Sequence, residues 1–152
     1  MNSTFIHRAL STDNSLTGLA LRIPAGVIFA AHGAQKLFGS FGGYGLEGTG
    51  QWMASIGLEP GYLMALASGS VEFFGGIALL LGLLTRPSAL LLAITMLVAI
   101  ITVHLPNGLF LSNNGYEFGL ALLAIVAALM LNGGGKLSLD RTLSGRLNKP
   151  KP

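Results

Sequence analysis

Four apolar runs, separated by polar or glycine-rich breaks, limit what this chain can fold into more than any motif does: Leu16–Phe38, Tyr62–Leu84, Ser88–Val103 and Phe118–Leu131. A helix needs roughly 20 apolar residues to cross a bilayer, whereas the apolar part of a secretory leader is about half as long. The first run therefore reads as a retained helix. The second follows Pro60-Gly61, and the third follows Thr85-Arg86-Pro87, a break short enough to force an antiparallel hairpin. The fourth begins after Asn113-Asn114-Gly115 and stops at Gly133-Gly134-Gly135; as the shortest, it is expected to recruit Tyr116 and Glu117. Apolar residues make up 51% of the chain and charged residues 10%, too few charges to cover a water-soluble globule, so the expected surroundings are a lipid bilayer. The predicted fold is all-α: a polytopic membrane protein built as a four-helix transmembrane bundle. Its helices fall at 16–38, 62–84, 88–103 and 116–131, between an N-terminal arm (1–15) and a basic tail (132–152).

Charge placement sets the expected orientation. Of nine Lys and Arg residues, seven lie in the arm (Arg8), in the second break (Arg86) or in the tail (Lys136, Arg141, Arg146, Lys149 and Lys151). Basic residues accumulate on the cytoplasmic side, so both ends are predicted to be inside. The net charge of +3 is thus a topology signal and gives no basic stripe for nucleic acid. The tail reads as a solvated cytoplasmic end with a brief helix near Ser138–Ser144. The glycine-rich stretch Gly39–Gly57 reads as a loop enclosing a short interfacial helix over Thr49–Ile56. Thr49 would be its N-cap, and Trp52, Met53 and Ile56 would share one face with Trp52 at headgroup depth.

The ionisable residues inside the apolar runs carry the functional argument, because each costs a few kcal/mol near the bilayer centre unless partnered or beside water. Arg22, His32 and Lys36 lie near one stripe of the first helix, with Gln35 alongside. The small residues Ala25, Gly26 and Gly33 on that stripe favour close helix approach, with Phe29 as a packing or pocket-lining ring and Leu21 and Ile28 toward lipid. The second helix repeats the pattern with Ala65, Ser68, Gly69, Glu72, Gly75 and Gly76. At 1.5 Å per residue, Arg22 and Glu72 sit roughly 9 Å and 18 Å above the inner helix ends, within reach of a long arginine, so an Arg22–Glu72 ion pair is expected. The alternative is an Arg22 that snorkels to the cytoplasmic headgroups, with Glu72 protonated. Toward the outer side, His32, Gln35, Lys36, His104 and Glu117 would converge on an outward-facing chamber with Glu72 at its floor.

Two histidines and two carboxylates leave metal or haem open as ligands, although no HxxxH or ExxH pair lies on one helix. Carboxylate and imidazole groups in a sheltered chamber equally suit proton transfer to a bound redox organic molecule such as a quinone. The absence of cysteine excludes thiol chemistry within the chain, which shifts weight toward a subunit role.

The stretch R-I-P-A-G-V-I-F-A-A-H-G-A-Q-K-L-F-G (Arg22–Gly39) resembles the first-helix signature of DoxX-type membrane proteins. Further matches follow in order at Gly48–Leu58, Glu72–Ala89, His104 and Gly115-Tyr116-Glu117. The resemblance implies a four-helix protein of the bacterial inner membrane, and its signature polar residues fall on Arg22, His32, Lys36, Glu72, His104 and Glu117. Relatives of this type include small membrane subunits of quinone-linked oxidoreductases and proteins of quinone-stress operons.

The leading expectation is a membrane component of a quinone-linked redox process with a soluble or membrane oxidoreductase partner. His32, Glu72 and His104 would handle protons; Arg22, Gln35, Lys36, Trp52 and Glu117 would bind the ligand. Two other readings stay open: a non-enzymatic assembly or binding factor for partner proteins, and a small-solute exporter. The small-residue stripes are compatible with a homo-oligomer and equally with packing inside one chain.

Overall fold

The computed structural model describes residues 9–147; Arg8, Lys149 and Lys151, counted above for orientation, lie outside them. The helices are α1 (Thr17–Phe38), α2 (Gly45–Ser55), α3 (Gly61–Leu81), α4 (Thr85–Ala99), α5 (Glu117–Asn132) and α6 (Leu139–Leu147). Helix α4 continues through a wide π-type turn, Ile100–His104, and a tight turn, Leu105–Asn107. The described residues contain no strand.

Two stretches are long and apolar enough by themselves to cross a membrane, Gly61–Leu81 and Thr85–Asn107. Helix α1 has the length but carries Arg22, His32 and Lys36. Helix α5 is apolar but has 16 residues, about 24 Å of helix against a hydrocarbon core of roughly 30 Å. The outer faces of α3 and α4 are unlike those of soluble helices: only 28% and 22% of the two spans is buried. Leu63, Leu66 and Phe74 on α3 and Leu90, Leu91, Ile94 and Ile101 on α4 point outward, an apolar area that water would not tolerate.

Four helices feed one core: Ala25 and Phe29 of α1, Leu79 of α3, Ala89, Leu92 and Ala93 of α4, and Leu122, Val126 and Leu129 of α5. Leu21 and Ile28, expected toward lipid, pack against this core, and Ile23 and Val27 take the outward face instead. The tightest contact is between α1 and α3, where the stripes of small residues meet. A Cβ at Gly33 would lie 2.3 Å from the Phe73 backbone N, and one at Gly76 would lie 2.4 Å from the Ala30 N. These glycines let two backbones touch.

Three local expectations change. Helix α3 ends at Leu81, not at 84, because Gly82 takes the left-handed conformation (φ +63°) and its N–H bonds back to the Leu79 carbonyl at 3.0 Å, a glycine stop. Helix α2 begins at Gly45, so Thr49 is a buried interior residue and not an N-cap. The glycines that suggested a loop serve close packing there: a Cβ at Gly61 would fall 2.1 Å from the Gly50 carbonyl oxygen, locking α2 onto the start of α3. The described part of the tail is docked on the bundle, although several of its side chains stay exposed. Ser138 and Asp140 are buried, and α6 is fastened to the α3–α4 turn.

Candidate ligand cavity

Buried charges gather at both ends of the helices, and their partners differ. At the end where α3 turns into α4, Arg22 is 2% exposed, and its guanidinium donates only to carbonyls. Nε reaches Gly134 O at 3.1 Å, Nη1 reaches Leu79 O at 3.0 Å and also Leu80 O, and Nη2 reaches Leu137 O at 2.9 Å. The expected Arg22–Glu72 ion pair is therefore absent. Arg22 stands level with Leu79 and Gly82 at the end of α3, and even Leu79 is seven residues, about 10 Å of helix, from Glu72. Arg86 likewise donates to Ser11 O (2.8 Å) and Met130 O (3.2 Å). Asp140 accepts from Leu84 N (2.6 Å) and Thr85 N (2.8 Å), capping α4. Cations thus sit on the carbonyl ends of α3 and α5, and an anion sits on the N–H end of α4, as the helix dipoles favour.

At the other end, Lys36 Nζ donates to Glu72 Oε2. The acid is buried and the lysine half-buried, and the pair stands in the wall of a cavity of about 260 Å³. His32 of α1, His104 and Asn114 add to its polar lining; Phe29, Met96, Ala99, Leu111, Phe118 and Leu122 make the remainder largely apolar. How His104 gets there is not legible from periodicity. Ala99 and His104 are five residues apart, about 140° around a regular α-helix; the wide turn, with its i→i+5 bonding, closes that angle and turns His104 to the cavity face. His104 Nδ1 lies 2.9 Å from Asn114 O. A carbonyl only accepts, so Nδ1 carries the hydrogen, and in the neutral ring Nε2 is the acceptor. His32 has no hydrogen-bond partner among the described residues and is exposed at the cavity wall.

The remaining expected ligand residues divide. Gln35 and Trp52 line a second, more open cavity of about 520 Å³ with Tyr44, Thr49 and Gly43, and Lys36 is the one side chain common to both cavities. The single chamber expected from the sequence is thus two compartments with Lys36 between them. Glu117 is in neither lining: its Oε1 accepts from Leu111 N at 2.6 Å, tying the loop before α5. That loop covers the smaller cavity, since Leu111, Asn114 and Gly115 line it. Among the described residues, no three His, Asp or Glu side chains converge in a metal-binding group.

These features have counterparts in known proteins. The family model DoxX matches residues 18–105, a stretch holding Arg22, His32, Lys36, Glu72 and His104. The Bacillus subtilis protein named "Putative oxidoreductase CatD" is 39% identical over 80% of this chain and 83% of its own. The Escherichia coli inner membrane protein YqjF is 33% identical over 83% of this chain and 91% of its own, and the uncharacterized membrane protein Rv3486 of Mycobacterium tuberculosis is 33% identical over 91% and 88%. No solved structure gives a significant match. With more than half its length matched by the family model, and with outward apolar helix faces of the kind lipid covers, the chain belongs to the DoxX family of membrane proteins.

Proposed function

We propose that α1, α3, α4 and α5 all cross the bacterial inner membrane, with both chain ends inside, and that the smaller cavity binds the ring of a quinone-like molecule for a partner oxidoreductase. The observation that carries this reading is the closed Lys36–Glu72 pair beside two imidazoles in an otherwise apolar cavity. The pair cancels its own charge, so the cavity favours a neutral aromatic dicarbonyl over a free anion, which Glu72 would repel. A ring packs against Phe29, Met96 and Phe118, while the Lys36 ammonium, an N–H of His32 and, in the protonated ring, Nε2–H of His104 reach for its oxygens.

Reduction of a quinone to its quinol takes up two electrons and two protons. The electrons come from the partner's redox group. The protons pass through this chain's His32 and His104, with Glu72 as the buried carboxylate that exchanges its lysine partner for a proton, and Lys36 steadies the oxygen that becomes anionic. The relationship to the protein named "Putative oxidoreductase CatD" supports the redox class. Helix α1, with 22 residues, has the length to cross, and the shortfall of 16-residue α5 is of the kind a bilayer absorbs by local thinning, which is compatible with four crossings.

The test is mass spectrometry of small molecules extracted from the purified protein, with Glu72→Gln and His104→Ala variants beside it. The reading expects a quinone retained in near-stoichiometric amount by the native chain and lost from the variants. A native protein free of quinone, together with unchanged quinone-dependent growth of the Glu72→Gln strain, would overturn it.

A further inference from the structure

We infer that α6 lies against the bilayer surface at the Asp140 end and binds anionic phospholipid headgroups there. The roll of the helix is fixed by one residue. Asp140 bonds to the first N–H groups of α4, and α4 runs from that point into the membrane, so the Asp140 side of α6 is its membrane-facing side. At about 100° per residue, Leu139 and Leu143 stand about 100° and 60° to one side of Asp140, and Gly145 stands about 140° away from it. Both leucines are substantially exposed, although a helix docked on protein alone would turn them inward. Leu137, just before the helix, is 70% exposed while its carbonyl is held by Arg22.

Charge points to the same occupant. Beyond Leu131 the sequence has five basic residues and one acid, Asp140, whose carboxylate is consumed by the α4 cap. Lys136 is exposed, and the exposed Arg141 bonds to the neutral Asn14 side chain, which leaves its charge uncancelled. One leucine tilted toward the membrane and another at the flank, cationic groups at the rim and a backbone held at membrane level are the elements of an in-plane interfacial helix. Anionic headgroups attract such a surface; zwitterionic ones do not. The inference is independent of what the cavity binds.

The chain has no cysteine, so single labels are unambiguous. Leu143→Cys and Gly145→Cys, the latter at a position where a Cβ meets nothing within 4 Å, are labelled with an environment-sensitive fluorophore in the full chain. The labelled proteins are placed in vesicles of phosphatidylglycerol with phosphatidylcholine, and in phosphatidylcholine alone. In the anionic vesicles, depth quenching should place position 143 roughly 5–10 Å below the headgroup boundary and leave position 145 in water. In phosphatidylcholine alone, or after Lys136→Gln with Arg141→Gln, position 143 should move outward. Equal aqueous quenching at both positions overturns the inference. So does a label at 143 whose burial follows protein concentration and ignores the lipid, since a second copy would then be the occupant.

Discussion

The two ends of this molecule hold similar inventories of buried charge and use them oppositely. At the Asp140 end the charges are held by backbone: buried Arg22 by four carbonyls, half-buried Arg86 by two, buried Asp140 by two N–H groups. At the Glu72 end, Lys36 and Glu72 hold each other, His32 is unbonded among the described residues, His104 spends one nitrogen, and all four border open space. A buried charge whose hydrogen-bonding capacity is exhausted is a structural rivet. One with capacity left beside a cavity can meet a ligand, so burial alone does not mark a site.

The contrast can be broken at either end. The largest stability loss is expected from Arg22→Met, which orphans four carbonyls at once; about 3–5 kcal/mol should appear in denaturation of the detergent-solubilised protein. Lys36→Met should cost less, about 2–3 kcal/mol, because the half-buried lysine is partly solvated, and adding Glu72→Gln should recover most of the loss by removing the uncompensated acid. If the double variant is as unstable as the single, the pair is not the closed unit described. Asp140→Ala removes the α4 cap and should cost about 1–2 kcal/mol while making the tail sensitive to protease. The smallest effect is expected at Glu117→Gln, below about 1 kcal/mol and with ligand binding intact, since its carboxylate serves an exposed turn. A binding defect there would place the loop before α5 inside the site.

How much of this was legible in the sequence follows from the range of each signal. Apolar runs report local burial, so the bounds of the four long helices lie within four residues of where hydropathy puts them. Helix α2 was harder to read because a glycine at a close backbone contact, such as Gly50 or Gly61, reads like a glycine in a loop. The polar residues of the cavity were visible as ionisable groups in apolar runs, but their pairing was not. Pairing depends on the stagger of α1 against α3, set by Gly26, Gly33 and Gly76 fitting into the facing backbone and by Gly69 making room for the Leu37 side chain, and that stagger gives Glu72 to Lys36. The docked tail was missed for a related reason: a lone aspartate in a basic segment signals nothing until the turn it caps has been placed.

The most direct test of the contrast uses the chain's single tryptophan. Trp52 lines the cavity next to the proposed site and shares Lys36 with it, so a bound quinone should quench its fluorescence. Titration with a soluble single-ring benzoquinone should give saturable quenching in the native protein, weakened about tenfold by His104→Ala, the equivalent of one lost hydrogen bond, and unchanged by Asp140→Ala. Quenching that never saturates, or that weakens equally in both variants, would contradict the division of the molecule into a riveted end and a binding end.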